Sequence, residues 1–277
     1  MVFRERKSRE RGIIQGDKLV ELHLYPGNLC NRDCSFCTVL GNPKGWYKEY
    51  TPGHLAAALE VLCLHEGATI KFYGGEPTLD FENVIWALGY LREKGFRGSM
   101  VIYSNGIQAR RLIQMIESDP LIRTTASLNY SIATGDGAPA MPRRSLQMLE
   151  EYESRHPGTI AIGHPNILTV GGGAGSFTGD PSRTQDSHKC PRCYPVLTTR
   201  GRFHACPFAV EMDAPHFHLG NLGAPPAQIS RNFKTFLDWL DTVHEPYARE
   251  HRLPACTVCQ NHLKDLPAPP FERGDPP

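Results

Sequence analysis

Cys30-Asn31-Arg32-Asp33-Cys34-Ser35-Phe36-Cys37 is the stretch on which the reading of this chain turns. Its three cysteines, spaced C-x3-C-x2-C, follow a strand-like run from Leu19 to Tyr25 and open a loop. Three thiolates suit an iron–sulfur cluster that leaves one metal corner free. A structural zinc site wants a fourth cysteine or histidine close by, and none follows within the next fifteen residues. In the run before the loop, Val20, Leu22 and Leu24 alternate with Glu21, His23 and Tyr25. That period of two predicts a strand with one face on outer helices and the other lining a polar interior.

Outward from the loop, strand and helix signals alternate. Thr51-Pro52 opens a predicted helix through Leu55, Leu59 and Leu62 to Gly67, with proline at the first helical position. Thr69 to Tyr73 is a strand ending at Gly74-Gly75-Glu76-Pro77-Thr78, and Asp80 is the expected cap of a helix carrying Val84, Leu88 and Leu91 to Gly95. Ser99 to Tyr103 is a strand ending in Ser104-Asn105-Gly106, followed by a helix from Gln108 to Glu117. Thr124 to Tyr130, Pro142 to Arg155 and Thr159 to Gly163 continue as strand, helix and strand. Such alternation implies a parallel sheet with right-handed crossovers. Polar and glycine residues gather just past each strand, at the rim where barrels place their chemistry.

The cysteine loop and the GGEPT stretch together resemble the radical SAM (S-adenosylmethionine) superfamily. The resemblance implies an α/β fold, a partial (β/α)6 TIM barrel open on one side. Val196 to Thr199 is the candidate sixth strand. It also implies that Cys30, Cys34 and Cys37 hold a 4Fe–4S cluster whose open iron binds the methionine end of S-adenosylmethionine. An electron from a donor such as flavodoxin or ferredoxin then yields a 5′-deoxyadenosyl radical that takes hydrogen from a substrate. By the same resemblance, Glu76 accepts the SAM ammonium and Phe36 lies against the adenine. Ser104, Asn105 and Ser127 meet the ribose or carboxylate. Gly74 and Gly75, lacking Cβ, let backbone approach a ligand closely. Many relatives carry Ser-Leu-Asp where this chain has Ser127-Leu128-Asn129, so strand-end turn chemistry is an equal reading of Ser127 and Asn129. His164 and Asn166 read more simply as turn residues.

Composition narrows the class. With 277 residues, 40% hydrophobic and 21% charged, the chain is an ordinary soluble protein of one large domain or a domain with an appendage. No apolar run reaches membrane-spanning length and no signal peptide is visible. A net charge of +1 gives no case for nucleic acid or membrane binding. Nine cysteines without a secretory signal point to metal ligation in a reducing cytoplasm. Cys63 stands alone and reads as a small buried apolar residue.

Five of the cysteines form a second group, Cys190-x2-Cys193-x12-Cys206 and Cys256-x2-Cys259. Between them come a hairpin turning at Arg200-Gly201, then Leu219-Gly220-Asn221-Leu222, and an amphipathic helix carrying Phe233, Phe236, Leu237 and Leu240. Cys190 to Cys206 is similar to the second-cluster motif of the molybdenum-cofactor GTP cyclases. Gly-Asn-Leu and the last C-x-x-C resemble the SPASM and twitch extensions of peptide-modifying radical SAM enzymes, which hold auxiliary 4Fe–4S clusters. Cys206, Cys256 and Cys259 with one of Cys190 and Cys193 would fill such a cluster. Cys190, Cys193, Cys256 and Cys259 are also a zinc-knuckle ligand set.

The expected organisation is a basic tail at 1–18, a barrel core at 19–168 and a glycine-rich linker at 169–189. An auxiliary-cluster segment follows at 190–265 and a proline-rich disordered tail at 266–277. The linker lacks the Gly-Lys-Ser/Thr ending of a phosphate-binding loop. Three functions compete. The first is modification of a peptide or protein side chain; against it, no leader-binding domain is expected before Leu19. The second is a small-molecule or cofactor biosynthetic reaction. The third, a non-catalytic electron carrier or zinc-stabilised scaffold, leaves GGEPT unexplained.

Overall fold

Ile14–Gln15 (β1) and Lys18–Leu19 (β2) pair as a small antiparallel ribbon before the chain enters β3, Glu21–Tyr25. Leu22 and Leu24 of β3 join the main hydrophobic core. Glu21, His23 and Tyr25 therefore take the other face, as strand geometry requires. The computed structural model describes residues 14–34, 37, 39–127, 141–163, 188, 190, 194–212 and 214–272. After β3 come α1 (Pro52–Val61), β4 (Thr69–Phe72), α2 (Phe81–Glu93), β5 (Ser99–Ser104), α3 (Ala109–Glu117), β6 (Ile122–Ser127), α4 (Arg143–Arg155) and β7 (Ile160–Gly163). Each strand from β3 to β7 pairs parallel with the next. Helices supply the long crossovers that parallel pairing needs. Alternation drives the packing: Ile70 and Phe72 of β4 and Met100 and Ile102 of β5 enter the core. Ala109, Leu112, Met115 and Ile116 form the buried stripe of α3.

Two helix boundaries differ from expectation. α1 is capped by Thr51, whose side chain accepts from the His54 amide, but it stops at Val61 instead of Gly67. Leu62 turns extended and bridges Leu19, with the Cys63 amide donating to the Leu19 carbonyl at 2.8 Å. The end of β2 thus captures backbone that would otherwise continue the helix. Asp80 makes no capping bond. Pro77–Asp80 is a 3-10 turn capped by Glu76, whose carboxylate accepts from the Thr78 amide at 3.0 Å. Asp80 Oδ2 is buried without a partner among the described residues, and burial lifts this carboxyl to about 7.

The candidate sixth strand is present and joins the parallel sheet at the edge of β3. β8, Val196–Thr198, pairs with β3, Val196 opposite His23, and not beyond β7. The His23 amide donates to the Pro195 carbonyl and the Thr199 amide to the Tyr25 carbonyl. β8 thereby satisfies an edge of β3 that would be costly to bury unpaired. The turn at Arg200-Gly201 leads at once into β9 (Arg202–His204), and β10 (His218–Asn221) follows, both antiparallel. The sheet order is β10-β9-β8-β3-β4-β5-β6-β7. Among the described residues no ladder joins β10 to β7, so the barrel is partial and open.

The last third of the chain is helical: α5 (Pro226–Trp239), a π turn over Leu240–His244, α6 (Glu245–Glu250) and α7 (Ala255–Asn261). Phe233, Phe236 and Trp239 enter the same core as the barrel. The expected disorder after residue 266 is overturned for 267–272, because α5 offers that segment donors and an acceptor. Trp239 Nε1 donates to the Pro267 carbonyl at 2.8 Å, and Asn232 exchanges two bonds with the Glu272 backbone. Residues 1–13 and 273–277 lie outside the described residues, as does the linker except His188, together with Leu128 to Tyr130, Asn129 among them, His164 and Asn166.

Candidate functional site

The cysteine loop folds back on Asn28. Asn28 Oδ1 accepts from the Trp46 amide at 2.8 Å and Asn28 Nδ2 donates to the Leu40 carbonyl. Within the loop the Cys30 amide donates to the Asn42 carbonyl and the Cys37 amide to the Cys34 carbonyl, each at 3.0 Å. The Gly41 amide donates to Cys37 Sγ at 3.2 Å. The loop is also strapped to the later chain. Glu211 accepts from Tyr25 Oη at 2.8 Å and from Trp46 Nε1 at 3.0 Å, and the Arg200 guanidinium lies 3.8 Å over the Trp46 ring. Glu211→Ala would strand both donors, a loss of about 1–3 kcal/mol. The expected readout is a lower thermal midpoint, most of it recovered in Glu211→Gln, which keeps an acceptor. An unchanged midpoint would dismiss the strap.

Gly74-Gly75-Glu76 runs along this loop backbone to backbone. The Gly75 amide donates to the Gly27 carbonyl and the Glu76 amide to the Leu29 carbonyl, both at 2.9 Å. A Cβ on Gly75 would lie 1.8 Å from the Leu29 carbonyl oxygen, and Gly74 has φ +142°. The close approach foreseen for these glycines is therefore met by the protein's own cysteine loop. Glu76, 4% exposed, gathers four donors: the Thr78 amide and hydroxyl, Ser104 Oγ and the Asn105 amide. Asn105 Nδ2 donates to Asn31 Oδ1 at 2.7 Å and lies 3.7 Å from Cys30 Sγ. The glycine pair, its carboxylate and the end of β5 thus converge on the cysteines. Ser127 ends β6, beside β5. Phe36 lies outside the described residues.

The donor set fits an iron–sulfur cluster electrostatically. Burial, opposed by a bond from the Arg32 backbone and aided by the fields of Glu76, Cys37 and Cys34, pushes the Cys30 thiol up to about 12, so a bound cation would favour its thiolate. Arg32, absent from the sequence-based candidates, is 4% exposed, and its Nε and Nη2 have no partner among the described residues. Its charge interacts with Cys34, Cys30 and Glu76. A basic residue inside the cysteine loop was the available signal.

Inside the barrel, Lys71 pairs with Glu21 at 2.5 Å, and the same carboxylate oxygen lies 3.2 Å from His23 Nε2. A carboxylate only accepts, so His23 carries its proton on Nε2 and its Nδ1, which has no partner, is an acceptor. Burial lowers this imidazole, which stays neutral. Tyr73, Tyr103 and Tyr194 surround the His23 ring at 5.5, 6.5 and 6.2 Å. The polar face of β3 announced this group, although its members were not named as site residues.

The C-terminal cysteines converge on a second site. Cys190, Cys206, Cys256 and Cys259 line one cavity with Phe208, Phe217 and Phe236; Cys193 lies outside the described residues. Burial, reinforced by the neighbouring thiols, raises Cys256 and Cys259. His244, fully buried at the end of the π turn, places Nε2 3.2 Å from Cys259 Sγ and 3.1 Å from the Ala255 carbonyl oxygen. Burial pushes it down to about 4, against the Ala255 hydrogen bond. Next to it, Glu245 accepts from the Cys190 amide at 3.1 Å. Among the described residues no three Cys, His, Asp or Glu gather as a single metal ion would require. Cys63 is half-buried and packs on the core.

Residues 24–145 match the Radical SAM superfamily family model. BtrN in complex with AdoMet and 2-DOIA is similar in structure, with TM-score 0.56 and 17% identity over 86% of this chain and 91% of that one. A histidine-tagged anSMEcpe with bound AdoMet gives TM-score 0.58 and 14% identity over 91% and 89%. Native anSMEcpe with bound AdoMet and Kp18Cys peptide gives 0.56 and 14% over 82% and 85%. At these identities the likeness is one of fold. No curated protein matches the chain in sequence. Among the described residues no helix is long and apolar enough to cross a membrane.

Proposed function

The chain carries a radical SAM domain and is a radical SAM enzyme, and from that premise we propose that it abstracts hydrogen from a peptide or protein side chain. When bound, the 4Fe–4S cluster and S-adenosylmethionine supply a 5′-deoxyadenosyl radical. In this reading Cys30, Cys34 and Cys37 hold the cluster. Glu76 keeps the ends of β4 and β5 together and turns its remaining acceptor capacity to the SAM ammonium. Asn105, Ser104 and Ser127 stand at the rim where the nucleoside would lie, with Phe36 on the adenine. Arg32 offers Nε and Nη2, which have no partner among the described residues, to the anionic contents of the same pocket. Residues 19–168 form the catalytic core, and a reductant protein such as flavodoxin or ferredoxin in the cytoplasm supplies the electron.

The observation that carries the finer reading is the four-thiol cavity. Cys190, Cys206, Cys256 and Cys259, within the segment 190–265, would fully ligate an auxiliary 4Fe–4S cluster able to accept an electron from a product radical. Cys193 is the spare thiol. The thiols line a cavity, whereas one zinc ion wants four ligands each about 2.3 Å from one point. The peptide-bound anSMEcpe structure supports a peptide substrate. BtrN with 2-DOIA supports the second reading, a small-molecule substrate, on the same fold. Incubation with S-adenosylmethionine, dithionite and a candidate peptide library is expected to yield 5′-deoxyadenosine and a mass change in a peptide. Turnover confined to small molecules would decide for the second reading.

A further inference from the structure

We propose that His244 is a positioning residue of the four-thiol cavity, donating an Nε2–H hydrogen bond to the Cys259 sulfur and thereby raising the reduction potential of the cluster held there. The inference rests on the auxiliary-cluster reading above. Its geometry is specific. Nε2 lies 3.1 Å from the Ala255 carbonyl oxygen and 3.2 Å from Cys259 Sγ. A carbonyl oxygen only accepts, so the proton of the neutral imidazole is on Nε2. The same N–H is shared with the sulfur in a three-centre arrangement.

Among the described residues no other polar group bonds the ring nitrogens, and Nδ1 is buried with no partner. The imidazole is fully buried beside Trp239, ring centroids 5.4 Å apart. The π turn over Leu240–His244 delivers it. A continuous α-helix advances about 100° per residue, so the wider π turn changes where the residue at its end points. Such bulges recur at functional sites. Glu245, the next residue, holds the Cys190 amide, so one turn of chain contacts two of the three segments that bear these thiols.

The direction of the effect follows from charge. Reduction adds an electron to a cluster already ringed by thiolates, and an N–H aimed at a sulfur stabilises the more electron-rich state. Hydrogen bonds to sulfur and exclusion of solvent are levers that set cluster potentials. His244 supplies the first and the apolar lining supplies the second.

The test uses the full chain with Cys30, Cys34 and Cys37 changed to alanine, so that only the second cluster is present, reconstituted anaerobically and titrated by electron paramagnetic resonance. H244L is expected to lower the midpoint potential, cutting the reduced-to-oxidised ratio at fixed poise about tenfold, equivalent to ~59 mV for one electron. H244Q, which keeps an N–H donor, is expected to recover part of the shift. About four irons per chain with an unchanged potential in H244L would overturn the inference and leave the cluster reading standing. Zinc without iron in the parent would overturn both. Loss of iron in both H244L and H244Q, with strong imidazole nitrogen coupling in the parent spectrum, would make His244 a ligand and overturn its role as donor.

Discussion

Cys34→Ala yields no 5′-deoxyadenosine above background when the anaerobically reconstituted protein meets S-adenosylmethionine and dithionite. The expected fall is on the order of a thousandfold or more, because in the proposed reading the cluster that carries the difficult chemistry loses one of three anchors. The loop cannot replace it. Its backbone is committed to Asn42, Cys34 and Trp46 contacts. Cys63→Ala is the matched control. That side chain packs on the core, so its removal leaves 5′-deoxyadenosine formation intact and costs only a small part of the stability. Product formation by Cys34→Ala at the parent rate would end the assignment of the loop to a cluster.

The second large effect belongs to a methyl group. Gly75→Ala places a Cβ 1.8 Å from the Leu29 carbonyl oxygen and 2.5 Å from its carbon. Neither neighbour is the end of a flexible side chain, so the two backbones must separate. Separation breaks the Gly75 and Glu76 amide bonds to Gly27 and Leu29 and draws the glutamate away from Cys30. Overpacking of this kind costs about 1–3 kcal/mol and occasionally more. We expect Gly75→Ala to lose most of its N-terminal iron on reconstitution and to unfold at lower denaturant. Gly89→Ala is the control, since a Cβ there meets nothing within 4 Å. Iron content and unfolding midpoint both equal to the parent would show that the contact at Gly75 is not close enough to matter.

Legibility followed the range of the interactions. The period of two in β3 and the caps and stripes of the helices were readable, because they depend on neighbours within one or two turns of chain. Asp80 was misread as a cap because Glu76, four residues earlier, reaches the Thr78 amide and begins the turn sooner. Val196–Thr198 was recognisable as a strand, but its partner β3 lies far away in sequence, and only pairing chooses which edge it joins. His244 was invisible for another reason. A lone histidine acquires meaning only from the sulfur that folding brings beside it.

The sequence by itself determined the chemistry on offer: three thiols in one loop, a glycine pair with a carboxylate, five more cysteines, and strands alternating with helices. Those depend on residue type and short spacing, which the chain carries whether or not it is folded. Tertiary structure alone decided that the glycines serve the cysteine loop, that Glu76 joins two strand ends, and that thiols from three segments line one cavity with an imidazole against one of them. Each is a contact between segments far apart in the chain. Such contacts are set by which buried backbone and side-chain groups must find partners once water is excluded.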